Sequence, residues 1–179
     1  QFNSVTFPSD LSLTVRGIKM TVEICAEEIT KKINSERGGL ANIHKSYLSF
    51  PVGMEAHFEF YKKIMLNVDL PLTRDEREWL AVETSRANKC PYCIGHHEKA
   101  LENYSGELSE ERKELLSTVA QTLTSEPWKA AVLKEKFLKQ FEASAWAHAL
   151  MVVGYFNMAN RIAFGMDLEL EDDFYKSCQ

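Results

Sequence analysis

The stretch DEREWLAVETSRANKCPYCIGHHEKAL, residues 75–101, decides how the rest of the chain is read. Thr73 lies just ahead of it with Glu76 three residues on, the spacing of a capping box, so a helix starts here with good local chemistry. Pro91 ends that helix. Proline is best tolerated at the first position of a helix, which makes Cys90 an N-cap and Cys93 the third residue of a second helix that runs to about Tyr104. The two helices thus meet at a turn that carries both cysteines.

Working outward, the same helical period recurs. Val22, Ile24, Cys25, Ile29 and Ile33 fall near helical spacing, and NSERGG closes that segment. A short helix is expected around LANIHKSYL. Pro51 opens a further one with Met54, Phe58, Tyr61 and Met65 on one stripe. Ser109 caps EERKELLSTVAQTL, Pro127 opens WKAAVLKEKFLKQF, and a long apolar helix covers 142–164 with Gly165 as its stop. Residues 1–20 show weak alternation and read as an extended arm. The expectation is one all-α domain over 21–179, a bundle of six to seven helices, with no repeat period. The helix over 142–164 is apolar around most of its circumference and suits a central or interface position, which points to an oligomer.

Composition narrows the function classes. The chain has 179 residues, 45% of them hydrophobic, enough to bury one core. A net charge of -5 with no Lys/Arg block argues against nucleic-acid or anionic-membrane partners. No run approaches the ~18 apolar residues of a membrane span, and residues 1–20 lack the pattern of a signal peptide, so a cytoplasmic setting is expected. Four cysteines are too few for a disulfide framework, and in a reducing compartment a close pair reads as catalytic or metal-binding. Cys25 reads as core and Cys178 as part of a frayed tail.

The pair Cys90 and Cys93, with His97 four residues beyond, admits several chemistries. Unpaired N–H groups and the positive end of the helix dipole favour a thiolate at Cys93. His97 lies one turn along on the same face, where it can take the thiol proton directly or through a water. A spacing of three brings the two sulfurs within reach of a reversible disulfide, with Cys90 the sulfur expected to meet an external reductant. Covalent haem needs a histidine directly after the second cysteine, and a thioredoxin-type motif needs a βαβ context; neither is present. Cys90, Cys93 and His97 supply three zinc ligands rather than four, which leaves zinc open but incomplete. Two buried thiols beside a satisfied histidine is the plain structural reading.

Glu78, twelve residues before Cys90, is the candidate to orient His97. The pattern Glu-x11-Cys-x2-Cys-x3-His resembles the alkylhydroperoxidase D-like branch of the carboxymuconolactone decarboxylase superfamily, and YFNMANRIAFGMDLEL is similar to its peroxidase-related subgroup. The resemblance implies an all-helical, trimeric or hexameric enzyme without a bound cofactor, reducing hydroperoxides with electrons from a dithiol protein such as a lipoyl domain or thioredoxin. It implies Cys93 as the peroxidatic nucleophile, Cys90 as the resolving cysteine, and Glu78 with His97 as a proton relay. Where the family carries a histidine before the second cysteine this chain has Tyr92, a possible replacement in the relay. A lactone decarboxylase of the same superfamily and a non-enzymatic redox-sensing oligomer are the alternatives. His96 is expected at the surface or behind the site, Glu83 toward solvent or a subunit contact, and Asn157, Asn160 and His148 as satisfied core groups.

Overall fold

The computed structural model describes residues 26–104 and 108–174. The expected arm over residues 1–20, and Cys25 and Cys178, lie outside the described residues. The first helix, α1, occupies residues 26–37. It is followed by α2 (Asn42–Lys45), α3 (Pro51–Tyr61), α4 (Arg74–Ala87), α5 (Pro91–Glu102), α6 (Glu110–Ser125), α7 (Leu133–Phe137) and α8 (Ala143–Gly165). A π-turn, Lys62–Leu66, extends α3, and a 3₁₀ turn, Pro127–Val132, precedes α7. The described residues are all-α, as the periodicity indicated.

The described residues hold eight α-helices where six to seven were expected, and the stretch after Pro127 forms a 3₁₀ turn and the short α7 in place of one helix. Lys129 N–H bonds Glu126 O at 2.8 Å, an i→i−3 closure that tightens the chain, and Trp128 and Val132 stay exposed, so no burial holds the wider α geometry. The stripe along α3 is buried as expected: Met54, Phe58, Tyr61 and Met65 all face inward.

Helix α4 sits at the centre, packed against α5, α6 and α8. Its N-terminus carries the capping box, Thr73 N–H donating to Glu76 Oε2 at 2.9 Å. Because α4 is covered on three sides its polar side chains are buried, and each charged one is matched. Glu76 accepts from Arg112 Nη1 at 2.5 Å, and Arg77 Nη1 donates to the carbonyls of Met65 (2.7 Å) and Asn67 (2.9 Å), tying down the end of the π-turn. Glu83, expected to face outward, is 8% exposed and pairs with Arg86 at 2.8 Å; α6 covers that face of α4.

Helix α8 runs beside α4, α5 and α6, so the expected central role holds in the chain itself. Gly165 is its last residue, but the left-handed turn position falls on Asp167 (φ 50°), whose N–H bonds Phe164 O while Leu168 N–H bonds Ala163 O. His148 is a satisfied core group, as expected: its Nε2 donates to Ile64 O at 2.8 Å and its Nδ1 accepts from Leu72 N–H at 3.3 Å. No helix among the described residues is long and apolar enough to cross a membrane.

Candidate active site

The turn between α4 and α5 positions the cysteines. Lys89 takes a left-handed conformation (φ 57°), its N–H bonds Arg86 O at 3.0 Å, and Cys90 N–H bonds Ser85 O at 2.9 Å, closing α4. The carbonyl of the same Cys90 accepts from Ile94 N–H at 3.0 Å, opening α5 with Pro91 in its first turn. Cys90 is thus anchored through both its backbone groups, and both cysteines are buried free thiols.

Glu78 projects from α4 toward α5 and is completely buried. Its Oε2 lies 2.6 Å from His97 Nδ1 and its Oε1 accepts from Arg74 Nε at 2.8 Å. Burial alone would push this carboxyl up, but His97 and Arg74 outweigh it and hold it below the usual carboxylate value. An ionised carboxylate can only accept, which assigns the proton to His97 Nδ1 and leaves Nε2 as a base. Phe156 packs edge-on against the ring at 4.5 Å and fixes its plane.

Cys93 and His97 line one cavity of about 30 Å³, together with Tyr92, His96, Arg37 and His57. That volume holds about one or two waters, or the O–O unit of a peroxide. Cys90 does not line it: Cys93 is the sulfur that faces the cavity, and both are buried, Cys90 at 1% and Cys93 at 4% exposure.

The acidities of the pair reverse the expectation. The Cys90 thiol is lowered to about 7, first because the Cys93 S–H donates to it, and further because the N–H groups of Cys93 and Tyr92 and the Asn160 amide face it without closing a full cap hydrogen bond. Cys93 is raised well above its ordinary value, since it supplies that proton and is desolvated. The N-cap sulfur, rather than the one at the third helical position, collects the dipole end and the second thiol.

Tyr92 and His96 are built into the wall rather than into the thiol pair. The Tyr92 phenol accepts from Ile43 N–H at 3.1 Å and donates to Glu171 Oε1 at 3.3 Å. Burial, with the nearby Glu171 charge, raises its pKa well above that of an ordinary phenol, so it holds its proton. His96, expected at the surface or behind the site, is 4% exposed and so takes the second place: Glu171 Oε2 meets its Nε2 at 2.9 Å and Phe174 packs edge-on over it. The segment after α8 therefore folds back over α5, where Leu170 lies so close to Gly95 that a Cβ there would meet it at 2.5 Å.

Sequence reasoning did not single out Glu171, Arg37 or His57. They sit in segments far from the cysteines and carry no motif. Asn160 was read as core-satisfied. It is fully buried, donates to Ser85 Oγ at 3.1 Å and accepts from Asn88 at 2.9 Å, and its amide also faces both thiols. Asn157 bonds Asn88 and Thr124. Among the described residues no three acidic, histidine or cysteine side chains are grouped to hold a metal ion.

Comparison with known proteins bears on this arrangement. The model of the carboxymuconolactone decarboxylase family matches residues 51–134, a span that contains Glu78, Cys90, Cys93 and His97. No curated protein matches the chain. The chain is similar to the crystal structure of an uncharacterized peroxidase-related protein from Silicibacter sp. TM1040, with a TM-score of 0.74 and 22% identity over 86% of this chain and 88% of that one. It is also similar to an alkylhydroperoxidase AhpD core, an uncharacterized peroxidase-related protein from Ralstonia eutropha JMP134, with a TM-score of 0.72 and 20% identity over the same shares. This chain therefore has the alkylhydroperoxidase D-like fold of those two structures, and its residues 51–134 match the carboxymuconolactone decarboxylase family model.

Proposed function

We propose that the protein is a thiol-dependent hydroperoxide reductase. The observation that carries the reading is a buried histidine, held by Glu78 at 2.6 Å with its other nitrogen unbonded among the described residues, in the cavity that Cys93 lines. His97 Nε2 takes the Cys93 proton, and the sulfur attacks the distal peroxide oxygen. An S–O bond forms, the O–O bond breaks, and the alkoxide leaves with the proton from His97. Cys93 is then a sulfenic acid, oxidised by two electrons.

Cys90 attacks the Cys93 sulfur as thiolate, the S–S bond replaces S–O, and the departing hydroxide takes a proton from solvent to become water. A Cys90 thiol lowered to about 7 suits this second step, because the attacking group is already ionised near neutral pH. A dithiol protein, of lipoyl or thioredoxin type, returns two electrons and two protons to the disulfide. No bound cofactor is needed for this cycle, which would run in a reducing cytoplasm in a homotrimer or homohexamer.

The test is peroxide consumption with a panel of dithiol reductants. Multiple turnovers that vanish in Cys93→Ser, with Cys90→Ser stopping after one equivalent at a sulfenic acid that dimedone traps, support the cycle. A wild-type protein that oxidises once and then resists every dithiol is a redox sensor instead, and undiminished turnover in Cys93→Ser sinks the assignment.

A further inference from the structure

The cavity wall contains two hydrogen-bond donors that no described acceptor uses well. Arg37, half-buried at the end of α1, lines the cavity with Cys93. It forms no ion pair with a carboxylate among the described residues; Nη1 lies 3.4 Å from His44 Nδ1 and the guanidinium sits 5.6 Å from the Tyr61 ring centroid. The histidines around it are uncharged. Burial holds His44 near 2 and His57 near 4, so both are neutral, and the guanidinium charge is felt by His44, His57, His96 and Tyr92 alike. The two carboxylates nearby are already engaged, Glu78 with Arg74 and His97, Glu171 with His96, Tyr92 and the Asn42 N–H.

The second donor is independent of the first. His57, 5% exposed, lines the same cavity, and its Nε2 lies 2.7 Å from the Tyr155 hydroxyl. The phenol keeps its proton and has no other acceptor among the described residues, so it donates to Nε2 and leaves the imidazole proton on Nδ1. That Nδ1 is buried without a hydrogen-bond partner among the described residues. An unmet N–H in a protein interior costs about 1–3 kcal/mol and calls for an acceptor.

We propose that Arg37 and His57 form a carboxylate subsite, so that the substrate is a short organic hydroperoxide or peroxy acid bearing a carboxylate, its peroxide group at Cys93 and its carboxylate at Arg37. One guanidinium fork and one imidazole N–H match a single negative charge; a phosphate, with nearly two, would meet one cation, Arg37, among the residues that line the cavity. The small cavity admits the reacting end, and the half-buried Arg37 meets the other end at its mouth. The inference rests on the peroxidase reading for the reacting end only.

The probes are monoperoxysuccinate and peracetate, which share the peroxy-acid group and differ in the carboxylate, together with succinate as a redox-inert ligand followed by calorimetry. In the wild type, kcat/KM for monoperoxysuccinate should exceed that for peracetate about 10- to 100-fold, the worth of one or two charge-assisted hydrogen bonds. In Arg37→Gln that ratio should collapse toward one and succinate binding should be lost, with Arg37→Lys intermediate; succinamide should not bind. A wild-type ratio near one with succinate binding indifferent to Arg37→Gln overturns the subsite. Absence of turnover with both peroxy acids, alongside Arg37-dependent succinate binding, upholds the subsite and sinks the peroxidase reading. Circular dichroism checks that the variants fold, which the half-exposed position of Arg37 favours.

Discussion

Replacing Glu78 by glutamine changes one oxygen of a fully buried group into an NH2, and the consequences follow from its two partners. Arg74 and His97 both donate to Glu78, at 2.8 and 2.6 Å. A glutamine can accept from one of them and must donate to the other. Arg74 has only donors, so the amide oxygen stays with it, and His97 accommodates the NH2 by moving its proton from Nδ1 to Nε2. The ring keeps its place but presents a donor to the cavity where it had presented a base. Loss of a positioned base is ordinarily worth about 10²- to 10⁴-fold, and Glu78→Gln should lose peroxide turnover by that order. The loss of charge at the Arg74 contact should cost on the order of 2 kcal/mol of stability, less than the roughly 3–5 kcal/mol of an unpaired buried charge, since a hydrogen bond remains. His97→Ala and the double variant should match Glu78→Gln in turnover, because one proton path is broken in all three. Stopped-flow peroxide consumption gives the rates and chemical denaturation the stability. Turnover of Glu78→Gln within threefold of the wild type, or fully multiplicative losses in the double variant, would refute the shared relay.

The pH dependence of stability should be steep in acid. His44 and His57 have folded values near 2 and 4 against about 6.5 unfolded, so below pH 6.5 the unfolded chain binds protons that the folded one does not. Each contributes a loss of up to about 1.4 kcal/mol per pH unit, on the order of 5 kcal/mol for both between pH 6.5 and 4.5, read from denaturation midpoints; a flat profile would mean that they are not buried as neutral rings. Glu171, whose carboxyl is held near 2, adds stability that is present above about pH 4.5 and is lost as pH falls from there toward 2. Tyr92→Phe leaves the buried Ile43 N–H without its 3.1 Å partner and should cost about 1–3 kcal/mol, while peroxide turnover stays within a few-fold if the phenol is a clamp; a loss of several hundredfold in a folded variant would restore it to the relay. Ultraviolet titration should show one thiolate per chain appearing near pH 7, absent in both Cys90→Ser and Cys93→Ser; persistence in Cys90→Ser would put it back on Cys93.

The helices were legible because their signals are local. The Thr73–Glu76 box, Pro91 and Pro51 at helix starts and the Met54–Phe58–Tyr61–Met65 stripe each act within a few residues of themselves. The Glu78–His97 contact was legible for a similar reason, since 19 residues and one turn separate two neighbouring helices. The acidity order of the thiols was not, because it depends on which sulfur the other points at and on an amide from Asn160, which no spacing rule supplies. Helical order after Pro127 was overread from periodicity, as nothing in the stretch reveals that Trp128 and Val132 lack a surface to pack on. The wall built by Arg37, His57 and Glu171 was invisible for a different reason: it is assembled entirely from tertiary contacts.

That wall has a bearing on how the molecule folds. The Tyr92–Glu171 and His96–Glu171 bonds span 79 and 75 residues, and the Asn42 side chain reaches the Glu169 carbonyl across 127. The α4–α5 hairpin, by contrast, closes over a three-residue turn, Asn88 to Cys90. Loop-closure entropy rises with separation and long-range contacts form late, so the hairpin can gather its cysteines and its histidine well before either flank arrives. During synthesis the thiols and their base would then come together first in an open groove, and the chamber that confines them would be sealed only once the residues around Glu171 have emerged and docked.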